Sequence, residues 1–584
     1  MMKDTEMFNL YLLGLRHFMD SPESDKLSYK NIASVHGRPY GPFDGVYAKT
    51  NTSEPGYCAH VSNVFATWHR GYVLLMEQVL FEHVIAVVNM FPSGQTRQRL
   101  AEIALRIRQP VWDWAAPTSD GSSVWPAIFS QQNVTVDGPN GTTTINNPLY
   151  SYTFQTAPGV PFAYNPFASW TQTMRYPTAW TQNATSQDNL LGPVLDNSRN
   201  NRMNRVYNLL AYYGNFSQFS NEAWIEDDAQ NADSLESIHD DIHDAVGQNG
   251  HMTFLDYAAF DISFWFHHCM LDRLFAMWQF LHPDSYVEPM AAMAPTYVTA
   301  IGDVMDVDSA LAPFHSDSQG NFHTSETLRD PTAYGYTYPE LVNATPDSLR
   351  AAINRMYGAN AAAGGLLQRS IHAASADGDA SHYIGPPGAK ADGSYRHYTA
   401  NIVSQKHTAL TGSYAVYIFL GGGEAAGAAT GNPNATDACW PTDPNLVGTH
   451  SIFAAVSSQE AATLVPGAAA TDGPPPPPPS SSSRHWKVSG TVPLTDALLK
   501  KAQSGELESM HDGDVQAYLR AHLHWRVSMM DGTPLDPTGD VNVTITVVSQ
   551  DFQPAASEAQ FPRPVSGSFH AWKHITQGKA GGCE

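Results

Sequence analysis

Two histidines four residues apart, followed by an adjacent pair inside an apolar run, constrain this chain more than any other feature. His239 and His243 lie in SIHDDIHDAVG, and an α-helix stacks residues i and i+4 on one face, so both imidazoles address one object. FDISFWFHHCMLDRLFAMWQFL reads as a second helix, apolar for most of its length yet interrupted by His267 and His268, whose side chains leave in different directions. One of the two joins the first pair easily. Three neutral imidazoles around one ion suit copper, zinc, iron or nickel. Asp272, four residues after His268, is placed to orient that imidazole from outside the ligand set.

Upstream lies a second trio. In SVHGRPYGPFDG the residues Gly37, Pro39, Gly41 and Pro42 forbid a helix, so His36 sits on a shaped turn. In GYCAHVSNVFATWHRGYVLLMEQVLFEHVIAVV, apolar residues at helical spacing from Phe65 onward predict a long helix with His69 near its start. Nine positions separate His60 from His69, about half a turn out of phase at 3.6 residues per turn, which places His60 before the helix proper. Cys58 and His60 are i and i+2, on the same side of an extended segment.

Composition excludes several classes. A net charge of -24 repels nucleic acid and anionic membrane surfaces, and 42% hydrophobic content with 13 Trp marks a globular chain with an aromatic interior. Cys58, Cys269, Cys439 and Cys583 form no C-x-x-C pair, so metal chemistry runs on histidine. No apolar run is expected to reach the roughly 18 residues of a membrane span. The opening MMKDTEMFNLYLLGLRHF has no basic stretch with a cleavage site, and LYLLGL reads as the core face of a helix, so the expected location is the cytoplasm.

The two trios stand in motifs that resemble a known family, the type-3 copper proteins, and most closely the fungal tyrosinases. HGxP at His36, GYCxH at Cys58 and His60, and TWHRxY at His69 resemble the first copper site. SLExxHxxxH at Ser234 to His243, GHM at Gly250, and FDxxFWxHHCxxDRL at Phe260 resemble the second, with Ile262 where the family usually has Pro. The resemblance implies two copper ions, one held by His36, His60 and His69 and one by His239, His243 and His268, with His267 a neighbour. It also implies a thioether bridge from Cys58 to His60 and a ring, Phe264, over the second site. Glu236 matches a glutamate that holds a water, and Asp240 stands where many tyrosinases carry Asn; both are candidates for the catalytic base that takes the phenol proton. Asp244, Leu255 and Phe264 are the expected substrate-side residues, and a carboxylate from Asp244 at the entrance would favour cationic over anionic phenols. The implied partners are phenolic small molecules and dioxygen. The implied reaction is ortho-hydroxylation of monophenols and oxidation of diphenols to o-quinones; a catechol oxidase and a haemocyanin-like oxygen carrier are the other readings. Fungal relatives usually carry a further segment before the first helix, which would allow secretion.

The expected fold is mainly α, a helical-bundle dicopper core over 1–430 with loops and short strands, then a linker over 431–484 and a smaller, mostly β domain over 485–584. Residues 133–148 read as a hairpin, and GSYAVYIFLGG as a buried strand. DGPPPPPPSSSSR at 472–484 is a stiff polyproline spacer with a flexible tail. Beyond it, VNVTITVVS puts Val541, Val543, Ile545 and Val547 on one strand face, and His522 and His524 read as strand residues. By resemblance this last domain covers the copper site until removed, with the activating cut expected in the Pro/Ser linker.

Overall fold

The computed structural model describes residues 3–49, 56–156, 165–225, 233–358, 390, 392–406, 412–421, 440–455 and 486–583; the polyproline spacer lies outside them. Helix α1 (Thr5–Met19) buries Leu10, Tyr11, Leu12 and Leu15, as the LYLLGL pattern predicts. After α2 (Tyr29–Ser34) comes α3 (Phe65–Met90), which starts where expected and leaves His60 in the segment before it. It ends at Phe91, whose extended conformation is the one a following proline imposes. Contrary to expectation, α3 is long and apolar enough to cross a membrane. Its apolar length has another partner here: it packs on α1 and on α8 (Ile262–Leu281) inside the core, and it carries His69 and Arg70, both buried.

Between these helices α4 (Gln95–Ala104) is followed by the hairpin β1 (Asn133–Gly138) and β2 (Gly141–Asn146), then α5 (Leu191–Tyr212), α6 (Phe216–Ser220) and α7 (Leu235–Gly247). Ser234 caps α7 by accepting from the Ser237 N–H, and Asp261 caps α8 by accepting from the Ser263 N–H. Both caps fix where a histidine helix begins. Arg175, itself buried, donates to Asp261 at 2.9 Å and neutralises it. Two short ribbons follow, β3 (Met290–Ala291) with β4 (Val304–Met305) and β5 (Ala310–His315) with β6 (Phe322–Thr324), and then α9 (Pro346–Tyr357).

The remainder is a β-rich unit. Strand β7 (Tyr395–Lys406) pairs antiparallel with both β10 (Trp486–Pro493) and β12 (Thr544–Gln553), while β8 (Tyr414–Leu420) pairs with β9 (Leu446–Ile452) and β11 (Leu523–Met529). Val541, Val543, Ile545 and Val547 are all buried in its core, as their alternation predicts. The expected boundary at 430 needs correction: β7 and β8 lie before it yet pair with strands beyond the spacer, so the division falls between Tyr357 and Tyr395. The helices α10 (Thr495–Ser504) and α11 (Asp512–His522) complete the unit. His522 ends α11 and is not a strand residue, whereas His524 is in β11.

Candidate metal centre

Each trio begins with backbone geometry. The turn carrying His36 is clamped to residues 255–256: His36 Nδ1–H donates to the Leu255 carbonyl at 2.9 Å and the Arg38 N–H to the Asp256 carbonyl at 3.0 Å. Gly37 is required there, because a Cβ would sit 2.4 Å from the Asp256 oxygen. Next to His60, Val61 adopts φ +53°, a left-handed conformation that is uncommon for a β-branched residue. Its N–H donates to Glu236 Oε1 at 2.7 Å, which holds this strained turn and with it His60. One turn into α3, His69 Nδ1–H donates to the Phe65 carbonyl at 2.8 Å.

The second trio follows the same rule. His243 Nδ1–H donates to the Met252 carbonyl at 2.8 Å and His239 Nδ1–H to Asp240 Oδ1 at 2.8 Å. In His36, His69, His239 and His243 the Nδ1 proton is thus committed, which leaves the Nε2 lone pair free, and in all four that Nε2 is buried without a hydrogen-bond partner. Within each set the potential ligand nitrogens lie within 4.8 Å of one another. Burial keeps all these imidazoles neutral, lowering His36 to about 3 and His60, His69, His239, His243 and His268 well below their usual range. A cluster of buried, neutral, inward-facing Nε2 atoms fits soft or borderline divalent metals such as copper.

His267 also falls in the second set, and its hydrogen bond separates it from His268. The Trp114 indole N–H donates to His267 Nδ1 at 3.1 Å, so His267 carries its proton on Nε2 and offers no lone pair there. His268 has both nitrogens unpartnered, and its ring stacks on His69 at 4.5 Å and contacts His239 at 5.0 Å. It bridges the two sets. His60 likewise has neither nitrogen engaged and faces His69 at 5.1 Å and His239 at 5.5 Å, with Cys58 buried two residues before it.

Several expected roles change. Asp272 accepts from Arg70 Nε at 2.5 Å and from the Tyr336 and Tyr338 hydroxyls, and so does not orient His268; it joins α8 to α3 beside His69 instead. Asp244 is not at an entrance: it is 3% exposed in a small interior cavity with Tyr176, Arg202 and Ser451, and burial raises its carboxyl pKa. The expected charge selectivity loses its basis. Neither Glu236 nor Asp240 offers a free oxygen to substrate. Glu236 takes the N–H groups of Val61 and Glu222, and Asp240 takes His239, Lys406 and the Phe453 N–H. Burial pushes both carboxyls up, Lys406 opposing the shift. Leu255 contributes its carbonyl to His36. Phe264 lies against both sets, 4.0 Å from His268 and 4.9 Å from His36.

Phe453, at the end of β9, had no signal in the sequence. Its ring is stacked on His243 at 4.0 Å with 18° between planes, and its edge meets His239 at 5.7 Å and His60 at 5.9 Å. An apolar residue after a strand looks like any other core residue; only the fold brings it to the histidines.

A helix bundle that aims two adjoining sets of three neutral imidazoles at each other defines a dinuclear metalloprotein. Comparison with known proteins narrows the class. The common central domain of tyrosinase matches residues 26–281 and the tyrosinase C-terminal domain residues 397–547. A tyrosinase of Neurospora crassa is 30% identical over 98% of this chain and 93% of its own length, and one of Podospora anserina is 34% identical over 84% and 90%. A structure of recombinant mushroom tyrosinase superposes with a TM-score of 0.76 at 25% identity, covering 98% of this chain and 95% of that one. The chain belongs to the tyrosinase family.

Proposed function

We infer that this chain is a copper-dependent phenol oxidase whose two coppers are held by His36, His60 and His69 and by His239, His243 and His268. The observation that carries the reading is the shared tautomer of His36, His69, His239 and His243, each with Nδ1–H given to an oxygen and Nε2 left open toward its neighbours. When bound, the copper pair supplies the binding and activation of dioxygen and the acceptance of two electrons from a diphenol. The protein's own groups hold and orient. The Leu255, Phe65 and Met252 carbonyls and Asp240 lock four rings, Glu236 holds the His60 turn, and Phe264 offers an aromatic wall to a phenol ring. Oxygen uptake by the copper-loaded protein on adding a catechol, and then a monophenol, tests the reading. Uptake with both supports a tyrosinase, uptake with the catechol alone a catechol oxidase, and uptake with neither an oxygen carrier.

Latency belongs to the same reading. Phe453 covers the imidazole face that a phenol ring would use, and one mushroom tyrosinase structure with TM-score 0.75 and 26% identity is described as both latent and active. The covering ring comes from the end of β9, not from 485–584. A cut at 472–484 leaves β7 to β9, with Phe453, joined to the helical core; a cut between Tyr357 and Tyr395 releases the whole unit. The activating cleavage is therefore assigned to the second segment. The Cys58–His60 thioether is part of the proposal as well, and peptide mass mapping of active protein should find the two residues cross-linked with loss of two hydrogens; alkylation of Cys58 after denaturation would contradict it.

A further inference from the structure

Three acids of the helical core, Glu222, Glu236 and Asp240, converge in a pocket from which solvent is excluded, and the cation among them comes from the other unit. Lys406, the last residue of β7, is fully buried and donates from Nζ to Glu222 Oε1 at 2.6 Å and to Asp240 Oδ2 at 3.2 Å. Asp240 Oδ2 also accepts the Phe453 N–H at 2.9 Å. Its other oxygen, Oδ1, accepts from His239 Nδ1. One carboxylate therefore has a metal-site histidine on one side and two donors of the β-rich unit on the other. Glu222 is tied to the same unit through its carbonyl, which accepts the Ser489 N–H of β10 at 3.0 Å.

A carboxylate rotates about its Cβ–Cγ bond unless both oxygens are held, and in a buried site the strong holders are charged donors. We propose that Lys406 is a positioning residue of the second metal site: by fixing the rotation of Asp240 it fixes His239, so that the affinity with which the second copper is loaded is set by the intact protein, before the activating cut removes the β-rich unit. The proposal rests on the copper reading above. Burial works against the charge on Lys406, and the Asp240 and Glu222 oxygens bonded to its Nζ oppose that effect. The β-rich unit thus does more than set a ring over the site; it completes a chain Lys406, Asp240, His239 that ends on a ligand.

The test is Cu(I) titration of the full-length metal-free protein against a chromophoric competing chelator, for wild type, K406M, D240N and K406M/D240N, with folding followed by circular dichroism. Wild type should bind two coppers per chain. K406M should bind the first as wild type does and the second at least about 10-fold more weakly, the size of effect usual when a ligand's hydrogen-bond partner is lost. In the D240N background, where Lys406 has no Asp240 carboxylate to orient and holds only Glu222, adding K406M should cost the second copper nothing further. A folded K406M protein that binds both coppers with wild-type affinity overturns the proposal, as does an equal loss from K406M in both backgrounds. If K406M alone fails to fold, the comparison of D240N with K406M/D240N decides, and weaker copper binding in the double variant overturns it. A wild type that binds fewer than two coppers would instead overturn the metal-site reading.

Discussion

Replacing Phe453 by alanine should release activity without proteolysis. The ring is fully buried, stacked at 4.0 Å on His243, with its edge toward His239 and His60. Removing a buried phenylalanine costs about 3–5 kcal/mol of packing. In the intact protein a phenol must first displace that ring, so an energy of this order opposes substrate entry, equivalent to a rate suppressed by about 10²- to 10⁴-fold at 1.36 kcal/mol per decade. The F453A protein leaves a space of phenyl size beside the imidazoles and should oxidise catechol in the intact state at a rate approaching that of protein cut between Tyr357 and Tyr395. Oxygen uptake on intact and cut samples of both proteins gives the four rates needed. An intact F453A protein as slow as intact wild type, with the two cut proteins equal, would refute Phe453 as the stopper.

Two further substitutions probe the frame around the site. D272N leaves the buried Arg70 guanidinium without its carboxylate and should lower unfolding stability by about 3–5 kcal/mol, the cost typical of breaking a buried ion pair; a loss under about 1 kcal/mol in denaturant unfolding would show the pair to be dispensable. Asp496, in the first turn of α10, has its pKa raised by burial to about 6, with Asn204 donating at 2.8 Å. Its folded pKa lies above the unfolded value of about 3.9, so the folded state binds more protons between them and this group's contribution falls as pH rises from about 4 to 6. D496N should therefore stabilise the protein above pH 6, by about 1 kcal/mol since the residue is only half-buried, and not below about pH 4. A thermal-shift difference that is the same at both pH values would contradict this.

What was legible in the sequence was what local spacing encodes. His239 and His243 declare themselves by their i, i+4 relation, α3 by its apolar period, and β12 by an alternation that begins at Val541 just before it and runs through Ile545 and Val547, because each signal is local in the chain. The tautomer-setting partners did not show, since the Leu255, Phe65 and Met252 carbonyls are backbone atoms that no residue type marks. Spacing also misled at Asp272: four residues from His268 is one turn away, but the nearer demand on that carboxylate is the buried guanidinium of Arg70. Asp244 is placed at the entrance by the family resemblance, although here α5, β8 and β9 close over it. Membership of the two sheets was hidden for a different reason. Pairing of β7 with β10 and β12 joins residues far apart in the chain, and the conspicuous Pro/Ser run suggested a boundary that the hydrogen bonds do not respect.

The proposed copper ligands are six particular histidines, among them His268 and not His267. Copper content per chain, measured on purified H267A and H268A proteins after loading, tests this most directly. His267 gives its Nδ1 lone pair to Trp114, so H267A should retain two coppers, whereas H268A should retain about one. Loss of copper from H267A with two retained in H268A would contradict the account.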